Sequence, residues 1–407
     1  MMGALSGIRV LDLSRILAGP WAAQILGDLG AEVLKIERPG SGDDTRHWGP
    51  PWLQDDSGRD TDTAAYFLCA NRNKRSVTID IARAEGQALV RELAAACDVL
   101  IENYKRGALV RYGLDYASLK TLNPRLVYCS ITGFGHSGPY AARAGYDFLI
   151  QGLGGLMSIT GRGDDEPGGG PLKAGVALTD ILTGLYAANA VQAALIRREA
   201  SGCGQHVDMA LLDVQVACLA NQAMNFLTTG RPPGRLGNAH PNIVPYQDFP
   251  TADGHMILAI GNDAQFARFC DEAGAPGLAA DPRFASNRAR VVHRAELIPL
   301  LEALTVKRET ARWISALEAI GVPCGPINDL AAVFADVQVA ERGLRLDLRG
   351  DDGVAVPQVA SPIRLSESPV AYLRPPPRLG ADTDAVLGEL LGRSPDDLAR
   401  LRREGVI

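Results

Sequence analysis

Several things are scarce in this chain, and each scarcity removes a class of protein. Seven cysteines are scattered over 407 residues, at positions 69, 97, 129, 203, 218, 270 and 324, and no CxxC occurs. An odd, dispersed set of this kind argues against a disulfide framework and a cysteine-built zinc site, and points to a reducing cytoplasm. The six histidines are as thinly spread, with no HExxH. Apolar runs are broken by Gly, Asp or Gln well short of the roughly 20 residues of a membrane span. The opening MMGALSGIRVLDLSRILAGP has no basic stretch followed by a long apolar run, so no signal peptide is expected. Positive charge is not in excess: 41 Lys+Arg against 47 Asp+Glu leave a net charge of -6, so nucleic acid is not an expected partner. What remains is ordinary globular composition, 46% hydrophobic and 22% charged. At about 150 residues per domain, the length predicts two or three domains.

The first forty residues carry the clearest pattern. GIRVLDLS reads as a buried strand, and AGPWAAQILGDLGA as a helix with Trp21, Ile25 and Leu29 at i, i+4 and i+8. EVLKIERPG is a second strand, so the segment is one βαβ unit of a parallel sheet. The rhythm continues through KRSVTIDI (strand), ARAEGQALVRELAAAC (helix), DVLIENY and NPRLVYCSITGFG (strands). AGVALTD is expected as a strand, followed by a helix from about Ile181 to Glu199, and QHVDMALLDVQVACLANQAMNFL as a further helix. Such alternation means an α/β fold. After about residue 228 the composition shifts. A Gly/Pro/Arg-rich loop leads to a hairpin, VPYQDFPTADGHMILAIG, and to helices in AQFARFCDEAG, RAELIPLLEALTV and TARWISALEAIG. GVPCGPIN closes this smaller α+β unit, and a Pro-rich stretch leads to a final helix near ADTDAVLGELLG.

The opening βαβ lacks the GxGxxG of a dinucleotide site. Its turn reads SRILAGPWA, and Glu37 alone stands where an acidic residue would hold a ribose, so a nicotinamide cofactor is not expected. Two basic clusters, Arg72, Lys74 and Arg75, and Lys105, Arg106 and Arg111, lie near predicted strand ends. Each reads either as solvated surface or as a polyphosphate grip. Glycine-rich loops at TGFGHSGP and QGLGGLMS could bring backbone amides to an oxyanion, with Gly133 and Gly154 as candidates. Asp180 stands between an apolar predicted strand and a long helix. It reads as a helix N-cap, as a carboxylate nucleophile, or as both.

These segments together resemble the class III CoA-transferases, the family of formyl-CoA:oxalate and carnitine CoA-transferases. The resemblance spans nearly the whole chain. It is carried by LSGIRVLDLSRILAGPWAAQILGDLGAEVLKIERPGSGD, NRNKRSVTIDI, DVLIENYKRGALVRYGLDY, NPRLVYCSITGFGHSGP, KAGVALTDILTGLYAA, SGCGQHVDMALLD and GVPCGPIN. It implies a Rossmann-like large domain formed by both chain ends (residues 1–225 and 331–407), a smaller domain at 226–330, and an interlocked homodimer. It places the family's aspartyl nucleophile on Asp180. It places coenzyme A contacts on Leu17, Ala18, Arg38, Ile79, Asp80, Ile81, Ala82, Asn103, Tyr104, Lys105, Arg111, Arg143, Ala144, Gly145, Tyr146 and Asp147. Trp48, Tyr66, Asn238 and His240 are the acyl-site candidates. Coenzyme A enters as the acyl-CoA substrate, and no permanently bound cofactor or metal is implied.

Departures from the family pattern narrow the substrate. Oxalate-specific members carry a Gln where this chain has Leu17, and a run of four glycines that is missing here. RLGNAHPNIVPYQDFPTADG and GNDAQFARFC are closer to the branch that moves CoA from succinyl-CoA to dicarboxylic acids. A C4–C6 dicarboxylate acceptor is therefore expected, with Arg46, His47 and His240 as candidate partners of its remote carboxylate. The rival is an α-methylacyl-CoA racemase of the same fold, whose histidine stands in a GHD sequence. This chain has Gly145-Tyr146-Asp147 there, and a phenol, unlike an imidazole, does not titrate near neutrality.

Overall fold

The structure is a computed structural model that describes residues 3–350 and 353–407. The chain resolves into two compact units. One comprises the chain up to Gly155, Ala174–Ala223 and Val337–Ile407, and the other Leu156–Lys173 and Met224–Asp336.

The first unit is built on a six-stranded, all-parallel sheet: β1 (Arg9–Asp12), β2 (Glu32–Glu37), β3 (Lys74–Thr78), β4 (Val99–Glu102), β5 (Val127–Thr132) and β6 (His206–Ala210). Its order is β3-β2-β1-β4-β5-β6. Val10 of β1 lies opposite Val33 on one side and Val99 on the other. Alternate residues feed two separate cores. Leu11, Leu34, Leu100 and Tyr128 pack on one face, and Val10, Val33, Val99 and Cys129 on the other. Burial on both faces explains why these strands read as continuous apolar runs. Helix α1 (Ala18–Asp28) and helix α4 (Leu178–Ser201) cover the second face, where Ala22, Leu26, Ala187 and Val191 meet. Helix α2 (Ala84–Ala95) covers the first, and helix α3 (Asp147–Leu153) precedes α4 in the chain.

Two elements depart from the sequence reading. AGVALTD forms no strand: α4 already begins at Leu178, so Asp180 lies in its first turn. The apolar run there packs as a helix start, because its free amides find a partner elsewhere in the chain, described below. HVDMA, expected as helix, is edge strand β6, paired with Tyr128–Thr132 of β5. The expected final helix, Thr383–Leu391, is followed by another, Pro395–Arg403, started by a Ser394–Asp397 capping box.

In the second unit, strands Tyr246–Pro250 and His255–Ala259 form the expected antiparallel hairpin. Cys324–Pro326, expected only as a Pro-bounded closing segment, adds a third strand beside His255–Ala259. Phe249, Met256, Phe266, Phe269 and Trp313 fill the core of this unit. Among the described residues no helix is long and apolar enough to cross a membrane, and no cluster of His, Cys, Asp and Glu could hold a metal ion.

Candidate active site

The strand order reverses between β1 and β4, one side running outward to β3 and the other to β6. In an open parallel sheet, ligands bind beyond the strand C-termini at such a switch point. A cleft of about 360 Å³ lies there, lined by the loop after β1 and the start of α1 (Arg15 to Ala18), the loop after β4 (Asn103 to Arg106), Thr132 at the end of β5 and Gly133 after it, Arg143 to Tyr146, and Asp180. The two switch-point loops are tied together. Asn103 accepts the Arg15 backbone N–H at 2.9 Å and donates to the Arg15 carbonyl at 2.7 Å. Glu102, at the foot of the second loop, accepts the Tyr104 N–H at 2.7 Å.

Asp180 reaches this cleft because α4 lies hard against α1. A Cβ on Gly184, one turn after Asp180, would come within 2.7 Å of the Ala18 carbonyl, so only glycine allows this approach. Gly133 and Gly145 make a similar contact in the cleft wall, where a Cβ on the first would sit 2.5 Å from the Cα of the second. Burial pushes the Asp180 carboxyl up to about 7, and the Asp147 carboxylate adds to the shift. Tyr66 is pushed up to about 12, by burial first and then by the charges of Asp180, Cys69 and Asp147. Trp48 packs edge-on to Tyr66 with ring centres 5.3 Å apart. Tyr66 thus sits in the electrostatic field of Asp180, and Trp48 sits against Tyr66.

The profile of CoA-transferase family III matches residues 5–383. The chain belongs to CoA-transferase family III. It is 55% identical over 386 residues to a succinate–glutarate CoA-transferase of Agrobacterium fabrum, covering 95% of each chain. It is 43% identical over 406 residues to the mouse (Mus musculus) succinyl-CoA:glutarate CoA-transferase, covering 100% of this chain and 91% of that one. A crystal structure of a CAIB/BAIF family protein from Brucella suis superposes with a TM-score of 0.84 at 51% identity, covering 96% of this chain and 100% of that one.

For this CoA-transferase, the structure gathers some of the sequence candidates and not others. Leu17, Ala18, Asn103, Tyr104, Lys105, Arg143, Ala144, Gly145, Tyr146 and Asp180 line the cleft. Arg38, Arg111 and the Ile79 to Ala82 stretch do not line it: Arg38 is exposed, Arg111 stacks on Tyr112 at 4.5 Å, and Ile79 is part of the core. Asp147 turns its carboxylate to the start of α4. Asn238 and His240 belong to the second unit, where Asn238 donates to Asp248 and His240 packs near Tyr246.

Other residues are already engaged. Arg72 and Lys74 are neither surface nor a phosphate grip: they are buried in ion pairs with Asp28 and Asp12, and Arg75 pairs with Glu32 and Glu389. Glu37 accepts two bonds from Arg46, which removes Glu37 as a ribose ligand and Arg46 as a free cation for a second carboxylate. His47 bonds the Ser41 carbonyl. Gly154 packs on Gln215 rather than facing the cleft, so of the two oxyanion candidates only Gly133 lines it. Asp180 is not its helix's N-cap, since Ala177 holds that position. Sequence reasoning missed Arg15, Ile16 and Thr132 as cleft residues. Position alone could have found them, because they follow the C-termini of β1 and β5.

Proposed function

We propose that this CoA-transferase moves CoA from succinyl-CoA to a C4–C6 dicarboxylic acid, glutarate being the acceptor best supported, through an aspartyl-CoA thioester on Asp180. The observation that carries the reading is a half-buried carboxylate at the switch-point cleft, in a chain whose relatives bear succinyl-CoA:glutarate names. The ionised Asp180 attacks the donor thioester carbonyl, forming a mixed anhydride and expelling CoA thiolate. The thiolate attacks the aspartyl carbonyl, releasing succinate and leaving the aspartyl-CoA thioester. The acceptor carboxylate then attacks that carbonyl and expels the thiolate again. Attack of the thiolate on the acceptor carbonyl gives the new acyl-CoA and regenerates Asp180. Splitting the exchange this way replaces one hard step by easier ones.

In this reading CoA lies in the cleft along Leu17–Ala18 and Asn103–Lys105, with the cations of Lys105 and Arg143 toward its phosphates. Arg38, Arg111, Asp80 and Ala82 would meet its nucleotide end beyond the cleft lining. Gly133 amides would face the developing oxyanions. Trp48 and Tyr66 would border the acyl group. Asn238 and His240 stand as acceptor-site candidates on the family resemblance alone. The seven cysteines are free, which suits a reducing cytoplasm, a placement that cell fractionation would check. Pairing of two copies, by the interlocking that the family resemblance implies, completes the proposal. The isomerase reading loses support, because Tyr146 occupies the histidine position and the relatives are named transferases.

The test uses the purified protein with succinyl-CoA. Asp180→Asn and Asp180→Ala should lose transfer while keeping the far-UV spectrum, since this carboxyl makes no cap. Wild-type enzyme treated with acyl-CoA and hydroxylamine should carry one label, on Asp180. Glutarate should outperform butyrate and oxalate as acceptor. Near-normal turnover in either variant, or a label on another carboxylate, removes the nucleophile; butyrate or oxalate as best acceptor removes the substrate assignment.

A further inference from the structure

The nucleophile's helix has an unusual start. Ala177, its N-cap, offers no side-chain acceptor, so the first amides of α4 need a partner from elsewhere. Asp147, 33 residues before Asp180, provides it. One carboxylate oxygen accepts the N–H of Thr179 at 2.8 Å and that of Asp180 at 3.3 Å. The other accepts Gln151 Nε2 at 2.7 Å. Fully buried Gln151 in turn accepts the Ala174 N–H at 2.9 Å, fixing the segment that enters the helix. Thr179 completes the arrangement by donating its hydroxyl to buried Gln215 at 2.7 Å.

We infer that Asp147 is a positioning residue that joins the cleft wall to the nucleophile: it directly follows Arg143–Tyr146 and holds the backbone of Asp180 itself. The inference rests on Asp180 being the nucleophile. The chemistry calls for a carboxylate at this point. Three donors converge on its two oxygens, and an ionised carboxylate accepts at both. An amide would aim its NH₂ at the Gln151 NH₂. If Gln151 flipped to relieve that clash, its oxygen would abandon the Ala174 N–H. A 1 Å displacement of a reacting group can cost about 10²-fold in rate, so this cap governs catalysis without touching substrate. Its negative charge also opposes ionisation of Asp180. Tyr66 also feels the Asp180 charge, and Arg15, Lys105, Arg106, Arg143, Tyr104 and Tyr146 line the same cleft.

Asp147→Asn is the variant to measure. The expected result is a fall in kcat of about 10²-fold, with KM for succinyl-CoA changed less than about threefold. The acid limb of the pH–rate profile should move to lower pH, because a charge that hinders ionisation is gone. A merely structural lesion would lower activity and leave that limb in place. Combining Asp147→Asn with Gln151→Glu again sets a donor against an acceptor, and kcat should recover at least about tenfold over the single variant. Full kcat in Asp147→Asn, an unmoved acid limb, or no rescue in the double variant would overturn the inference. If the single variant fails to fold, a folded double variant with restored turnover supports it, and a folded but inactive one sinks it. Hydroxylamine trapping in the wild-type enzyme separates the two readings. A label away from Asp180 removes the nucleophile itself, whereas a label on Asp180 with an unchanged Asp147→Asn profile removes only the positioning role.

Discussion

Ile16 is a β-branched residue held at φ 72° inside the cleft, a conformation that costs of order 1–3 kcal/mol. Buried charge around the turn makes it stable. Lys35, fully buried, donates to the Ser14 carbonyl at 3.0 Å and to Asp43 at 2.9 Å. Asp43 also accepts the Ile16 N–H at 3.2 Å and both the N–H and hydroxyl of Thr45. Burial alone would raise the Asp43 carboxyl, but the Lys35 ammonium and the Thr45 bonds outweigh it and hold it at about 2. A depressed carboxyl contributes stability above its unfolded value near ~4 and loses it as pH falls toward the folded one. The Lys35–Asp43 pair should therefore persist through mildly acid solution and fail only as pH approaches about 2. Asp43→Ala would leave the buried Lys35 ammonium without its hydrogen-bonded carboxylate partner, with only the charges of Asp12 and Glu37 near it, and breaking such a pair costs about 3–5 kcal/mol. Urea unfolding of the variant at pH 7 should show that loss together with reduced turnover, because Ile16 loses its anchor. A stability change under about 1 kcal/mol would mean that Asp12 and Glu37 hold the Lys35 charge without Asp43. None of this was legible in the sequence, where SRIL is an ordinary turn and Lys35 and Asp43 are two charges eight residues apart.

At the scale of elements, what could be read was what repeats locally. Strands β1 to β5 and helices α1 and α2 announced themselves by apolar runs and helical spacing within their own residues, even though the strands pair over long distances, Val10 of β1 with Val99 of β4. The failures were elements whose reason lies far along the chain. Strand β6 buries only Val207 and Ala210 of its five residues and is held as a strand by the edge that β5 offers. The start of α4 reads as a strand, AGVALTD, because its cap comes from Asp147 and not from its own residues. Gly184 belongs to the same class, since its role is the approach of α4 to α1. Placed in an uncrowded helix, Gly184→Ala would stabilise by about 1 kcal/mol. Here the added methyl meets a backbone carbonyl at 2.7 Å and the Trp21 side chain at 3.0 Å, and overpacking of this kind costs about 1–3 kcal/mol. The clash should win. Thermal unfolding of Gly184→Ala should begin several degrees lower, and kcat should fall because Leu17–Ala18 and Asp180 move apart. A variant as stable and active as the wild type would show that the helices are not held at this contact.

For the molecule as a whole, the chain ends explain the long-range architecture. The last helices return to the first unit, where Val386, Leu387, Leu398 and Leu401 complete the core under β3, and the Val406 carbonyl accepts the Asp80 N–H at 2.7 Å. With that face closed, the outward side of α4 remains. Thr183, Ala187, Val191 and Ala194 turn inward, while Leu185, Tyr186 and Ile196 face solvent, Ile196 at 75% exposure. Leu185 and Ile196 are eleven residues apart, so they share one stripe of the helix. If two copies pair as proposed, these exposed apolar side chains are where α4 would meet its counterpart. Covering this stripe with a second copy would seat two nucleophile helices near the interface. Light scattering should accordingly give twice the 43.2 kDa chain mass. Leu185→Glu with Ile196→Glu should lower that mass toward one chain, or leave aggregates if the copies are interlocked and cannot fold apart. A wild-type protein that stays at one chain mass at micromolar concentration would remove the dimer. A double variant that remains a stable dimer would move the interface away from α4.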